Sequence, residues 1–327
     1  MLTRPLSRPN TVELRTTQAI LSAIKTPIGH RFLALGADTK GVQYLTLVPS
    51  LPSVLNVPVG HAVPVNASGS ESAVLKLTAT HLVAAAIIEP LFSGQKLVVH
   101  NAPEELARAI EFQAAKKQVQ VVFMVDVSDK DLPSSWIHLP PYAGKAEVSQ
   151  LLPADIAAFV GFSVDESDNE QTILALLSPY CRRETASTIY SPRAVQFGTS
   201  TDELLGEPLK VAAQYALDSH PTAETAAVAL ENIAGKESPR DPLTVVDWTT
   251  ATVLPARVTR FDIIPLFKHD KTYWLCGLSG ALGISLCDWM IDRGVRYLVL
   301  TSRNPKVNQE WIDNHAANGV TIRTLSW

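Results

Sequence analysis

KTYWLCGLSGALGISLCDWMIDRG, residues 271–294, joins a short apolar run to three glycines spaced by three, Gly277, Gly280 and Gly283, and then to an apolar stretch closed by Gly294. The pattern predicts a strand over 272–276, a tight turn, and a helix over 282–293. In such a strand–turn–helix the first glycine permits the turn, the second lets the backbone approach a pyrophosphate, and the third lets the helix pack on the strand. The start of the helix, with unpaired N–H groups and the positive end of its dipole, is an anion site. Leu282, Leu286, Trp289 and Met290 recur at helical spacing and are expected to form the apolar face, with Gly294 as the cap. A plain glycine turn in a parallel-sheet protein is the competing reading, because three spaced glycines alone are a weak signal.

The next strand, expected over 296–302, ends in Ser302-Arg303-Asn304. At this distance from the glycines a site for NADH carries Asp or Glu for the ribose 2′-hydroxyl. Here a Ser–Arg pair stands instead, and the planar fork of Arg303 suits a 2′-phosphate, which favours NADPH. The alternative is a solvated arginine at a strand end. A helix over 308–318 and a strand over 321–325 complete a βαβαβ series. The residues assigned to the cofactor are Gly277, Ser279, Gly280, Leu282, Gly283, Ser302 and Arg303.

The run LFKHDKTYWLCGLSGALGISLCDWMIDRGVRYLVLTSRNPKVNQEWID, residues 266–313, resembles the opening of the ketoreductase domain of fungal highly reducing polyketide synthases, including those fused to a nonribosomal peptide synthetase. The elements WMIDRG and TSRNP accompany the glycines and make the resemblance specific over about 50 residues. VVDWT at 245–249 and VLPARV at 253–258 look like the lead-in. The resemblance implies a short-chain-dehydrogenase-like fold and NADPH-dependent reduction of a β-ketoacyl thioester on an acyl carrier protein. It also implies that the Ser, Tyr and Lys or Asn of such a domain lie further along the chain than Trp327. No catalytic residue is therefore assigned, and ketone reduction by this chain alone is not expected.

Upstream, 1–75 reads as a small β-rich segment, with apolar runs at 31–35 and 44–48 punctuated by Pro49, Pro52, Pro58 and Pro64. From 76 to 218 helical runs (77–92, 104–117, 170–177, 202–217) alternate with short strands (96–100, 120–126, 156–162), the pattern of a parallel sheet. Residues 219–244 read as a linker, and 245–327 as the second series. SGQKLVVHNAPEELARAIEFQAAKKQVQVVF, residues 93–123, resembles the enoylreductase region of the same synthases. Where an active enoylreductase has a glycine-rich turn, this chain has His100-Asn101-Ala102-Pro103-Glu104-Glu105. Asn101 is expected to cap the helix, Pro103 to occupy its first turn, and the two glutamates to complement its dipole and repel a pyrophosphate. The expectation is a degenerate, Rossmann-like, non-catalytic reductase; an ordinary parallel-sheet module is equally inactive.

Composition bounds the rest. The 327 residues are 46% hydrophobic and 18% charged with a formal net charge of −4, which fits a globular α/β protein and no nucleic-acid partner. The start lacks the apolar run of a secretory signal, and no stretch of 18 uncharged apolar residues occurs, so the expectation is a cytoplasmic chain without a membrane partner. Cys181, Cys276 and Cys287 form no CxxC pair and are expected to be reduced and buried. The eight histidines lack metal-ligand spacing, so no metal is assigned. The functional expectation is a piece or truncated remnant of a fungal polyketide synthase, partnered by other synthase domains or an acyl carrier protein. The alternative is a non-catalytic scaffold docking onto a synthase or a trans-acting enoylreductase.

Overall fold

The computed structural model describes residues 11–66, 70–126, 133, 135–140, 143–163, 168–195, 205–219, 225–233, 241–250 and 267–326. The chain divides into two compact α/β units, Met1–Pro255 and Ala256–Trp327. VLPARV lies outside the described residues.

The first unit opens with six strands: β1 (Thr11–Ile20), β2 (Ala23–Thr26), β3 (Gly29–Ala37), β4 (Gln43–Val48), β5 (Val54–Pro58) and β6 (Val63–Val65). They pair antiparallel: β1 with β3 and β5, β3 with β2 and β4, and β4 with β6. In β5 exposure alternates residue by residue, the period of a strand with one wet face. Next comes α1 (Glu71–Ile88), longer at its start and shorter at its end than the expected 77–92. By length and composition α1 could cross a membrane, but 61% of it is buried within the fold. A helix apolar all round belongs in a core, and α1 packs between the strands before it and the helices after it.

A parallel sheet follows, built from β7 (Lys96–His100), α2 (Glu104–Lys117), β8 (Gln120–Val125), β9 (Ile137–His138), α3 (Lys145–Leu151), β10 (Ile156–Gly161), α4 (Asp168–Leu176) and β11 (Arg182–Thr185), in the order β11-β10-β7-β8-β9. The strand LVVH at 97–100 is buried throughout because both faces of the sheet are covered. Leu97 and Val99 face the core that contains α1 and α2. Val98, with Met124 and Phe159, faces a second core containing Val148 of α3 and Ile173 of α4.

After β11 come α5 (Ala186–Ile189), β12 (Tyr190–Ser191), α6 (Gly206–Asp218), β13 (Val228–Ala229), α7 (Leu230–Ile233) and β14 (Val245–Asp247). Part of the stretch expected as a linker thus carries structure of its own. The expectation that VVDWT opens the second βαβ series is also corrected. β14 pairs antiparallel with β1, Ile20 opposite Val245, and Trp248 N–H donates to Thr17 O at 2.9 Å, so this stretch belongs to the first unit. Two apolar residues in a row, Val245 and Val246, gain more from the buried edge beside β1 than from an exposed start to a new sheet.

The second unit contains β15 (Thr272–Cys276), α8 (Ala281–Asp292), β16 (Tyr297–Ser302), α9 (Gln309–Ala317) and β17 (Thr321–Ser326), with the three strands parallel in the order β15-β16-β17. Leu298, Leu300 and Ile322 pack with Cys287, Met290 and Ile291 of α8 to form its core. Asp288 Oδ1 accepts from Trp311 Nε1 at 2.9 Å and lies 2.9 Å from His315 Nε2, which clips α8 to α9. Of the four residues expected to form the apolar face of α8, only Met290 is buried. The buried residues are Gly283, Cys287, Met290 and Ile291, whereas Leu282 is 81%, Trp289 41% and Leu286 36% exposed. Gly283 decides this, because the side of the helix without a side chain is the side that can lie against the turn. Cys181 and Cys287 are buried as expected, but Cys276 is exposed. Burial, and then Asp288, push the Cys287 thiol up to about 11, so it behaves as an inert apolar group.

Candidate functional site

In open parallel sheets ligands bind beyond the carboxyl ends of the strands. Each unit has such an edge, and the two are built oppositely.

In the second unit Gly277 leaves β15 with φ +75°, the left-handed region that favours glycine, and its N–H donates to Thr301 O at 2.6 Å. Gly280 is the extended N-cap of α8, and no side chain caps the helix there. A Cβ at Gly280 would meet nothing within 4 Å, so the space in front of the helix is open. A Cβ at Gly283 would overlap the Leu278 carbonyl group, so this glycine brings helix and turn together. Ser279 Oγ donates to Ser302 Oγ at 2.9 Å, tying the turn to the end of β16. Arg303 follows, exposed. The first turn of α8 contains no acidic residue. Five of the seven assigned residues, Gly277, Ser279, Gly280, Gly283 and Ser302, thus form one turn and the strand end bonded to it. Arg303 adjoins that strand end, and Leu282 stands on α8 with its side chain turned to solvent.

In the first unit the corresponding edge is filled. Asn101 follows β7 with φ 54°, taking the left-handed conformation that a glycine would otherwise supply. It does not cap α2: the N-cap is Pro103, without a side-chain cap bond, one position earlier than the expected first-turn place. Instead Asn101 Nδ2 donates to Asp126 Oδ2 at 2.9 Å and to Ser163 Oγ at 3.0 Å, and its Oδ1 accepts from Asp126 N at 3.0 Å. His100, fully buried at the end of β7, has Nε2 2.9 Å from Asp126 Oδ1 and Nδ1 3.7 Å from Glu170 Oε2. Asn169 Nδ2 donates to Asp126 Oδ1 at 2.9 Å and to Pro140 O at 2.9 Å. Burial works to raise the pKa of Glu170, but the His100 imidazole and the Ser163 hydroxyl beside it outweigh that and leave the carboxyl below its ordinary value. As expected, Glu104 and Glu105 occupy the first turn of α2.

No local sequence pattern announces the pairing of His100 with Asp126. The signal available at this edge is a polar residue, Asn101, where a turn after a buried strand calls for glycine. Among the described residues no group of three His, Cys, Asp or Glu is arranged to hold a metal ion.

Residues 271–327 match the KR domain family. The highly reducing polyketide synthase bet1 of Neocamarosporium betae is 44% identical over 318 residues, 96% of this chain and 11% of that protein. The highly reducing polyketide synthase calA of Penicillium decumbens is 41% identical over 319 residues, 95% of this chain and 11% of that protein. The polyketide synthase–nonribosomal peptide synthetase TwmB of Talaromyces wortmannii is 30% identical over 329 residues, 97% of this chain and 11% of that protein. The chain therefore spans about a tenth of the length of these relatives. Among solved structures, the CurK enoyl reductase aligns with 75% of this chain and 93% of its own at 13% identity and a TM-score of 0.48.

Proposed function

From the premise that this chain is the counterpart of one segment of fungal highly reducing polyketide synthases, we propose that it contributes two parts to such a synthase: the NADPH-binding opening of a ketoreductase and a non-catalytic reductase-like platform. The observation that carries this reading is the contrast between two helix starts. At α8 a glycine cap, an uncapped first turn and open space favour a bound pyrophosphate. At α2 a proline cap and two glutamates oppose one, and the crevice beyond β7 is occupied by hydrogen-bonded side chains.

Gly277, Ser279 and Gly280 would hold the pyrophosphate, Ser302 would hold the turn through Ser279, and Arg303 would pair with the 2′-phosphate. NADPH held there would supply the hydride for reduction of a carrier-bound β-ketoacyl thioester to the β-hydroxyacyl thioester, the proton coming from a general acid of the synthase. The platform fits packing against neighbouring synthase domains or a separate enoylreductase.

Titrating the full chain with NADPH, followed by cofactor fluorescence, tests both parts. One NADPH per chain is expected. Gly280→Asp should abolish binding, because it places a carboxylate at the helix start. Arg303→Ala should weaken NADPH about tenfold to a hundredfold and leave NADH unchanged, the loss of one charge-assisted pair. A folded chain that binds no NADPH would remove the ketoreductase part, and a second NADPH displaced by substitutions at the first unit's edge would remove the platform.

A further inference from the structure

The first unit's carboxyl edge holds a carboxylate that the platform reading does not need. Glu170 lies in the first turn of α4, buried, with its carboxyl group over the end of β10. A Cβ on Gly161 would lie 2.6 Å from Glu170 Cδ and closer still to Oε1. Gly161 is the last residue of β10 and stands opposite His100 of β7, so the carboxylate sits between the two strands where the order of the sheet reverses. That position is where a doubly wound sheet ordinarily admits a ligand.

We propose that Glu170 is a latch: its carboxylate, seated over Gly161 and held by His100 and Ser163, fixes α4 across the crevice at the carboxyl edge and keeps the crevice shut. The glycine is then required by the latch and not by a turn, since a methyl group there would evict the carboxylate. The charged and titratable groups around it are His100 on β7, Asp126 after β8, and Asp168, exposed, on α4 itself. Ser163 after β10 and Asn169 on α4 supply the neutral hydrogen-bonding groups. The latch carries a pH dependence of known sign. A carboxyl whose folded pKa is depressed stabilises the fold above its unfolded value and loses that contribution as pH falls through the folded value. Release of α4 is therefore an event below the ordinary carboxylate range, and it leaves the latch closed at neutral pH.

The latch rests on the platform reading but is tested without nucleotide, so a failure here and a failure of the NADPH titration are distinguishable. Amide hydrogen exchange on the full chain reads the protection of α4 and β10, with α1 as an internal reference for global opening. Gly161→Ala should lower protection in α4 and β10 about tenfold or more, and should change it little when made on a Glu170→Ala background, where the space is already vacant. Equal losses on both backgrounds would overturn the latch. As pH falls below about 4, through the depressed range of the Glu170 carboxyl, α4 should lose protection before α1 does. Ser163→Ala, which keeps the carboxylate but removes a hydrogen bond to its charged form, should move that loss to higher pH and serves if Glu170→Ala does not fold. Loss of α4 and α1 together, or no shift with Ser163→Ala, would equally overturn it.

Discussion

Gly283→Ala is expected to unfold the second unit. The added methyl carbon would lie 2.5 Å from the Leu278 carbonyl carbon, and backbone cannot swing aside as a long side chain can. Relief requires moving α8, whose buried residues Cys287, Met290 and Ile291 share a small core with Val295, Leu298, Leu300, Val320 and Ile322. Overpacking of this kind costs about 1–3 kcal/mol or more. Such a cost is a large fraction of the roughly 5–15 kcal/mol that holds a domain together. Near-ultraviolet circular dichroism from Trp274, Trp289 and Trp311, together with amide exchange over β16, should report loss of packing, and NADPH binding should vanish with it. Gly280→Ala is the control: a Cβ there meets nothing within 4 Å and φ is −90°, so the fold should survive. A packed second unit in the Gly283→Ala protein would mean that the turn can retreat from the helix.

The contrast between these glycines shows which parts of the molecule were legible in the linear pattern. Strand–turn–helix units were readable because their signals are local: an apolar run, a glycine and an amphipathic stretch within about 20 residues. Thus β7, α2 and β15 have the expected bounds and β16 and β17 fall within a residue of theirs. The buried side of α8 was not readable, because Leu282 and Trp289 are as apolar as Met290, and the choice between them is made by where Gly283 must touch the turn. β14 was misplaced for a similar reason: three residues carry no period, and their partner, β1, lies over 200 positions away. The hydrogen-bonded edge is the extreme case. His100, Asp126, Ser163 and Glu170 span 70 residues and meet only because parallel register brings the ends of β7, β8 and β10 level.

That convergence makes Asp126→Ala the substitution with the largest expected effect on the first unit. One carboxylate accepts from Asn101 and Asn169 and lies 2.9 Å from the imidazole of His100, whose side chain is fully buried. Removing it strands polar groups on β7 and α4 at once. Each buried polar group left unsatisfied costs about 1–3 kcal/mol. Asn169 keeps its bond to Pro140 O and Asn101 its bond to Ser163, which leaves the His100 imidazole as the main unsatisfied group and limits the total to roughly 1–3 kcal/mol. Asp126→Asn should cost less, since its amide oxygen can still accept, but it cannot serve three donors with two oxygens as the carboxylate does. Denaturant unfolding of the first unit, followed by amide exchange in β7, should place the alanine variant well below the asparagine variant. Equal, small losses for the two would mean that water replaces the carboxylate at this edge, and the crevice beyond β7 would then be open enough to admit a ligand after all.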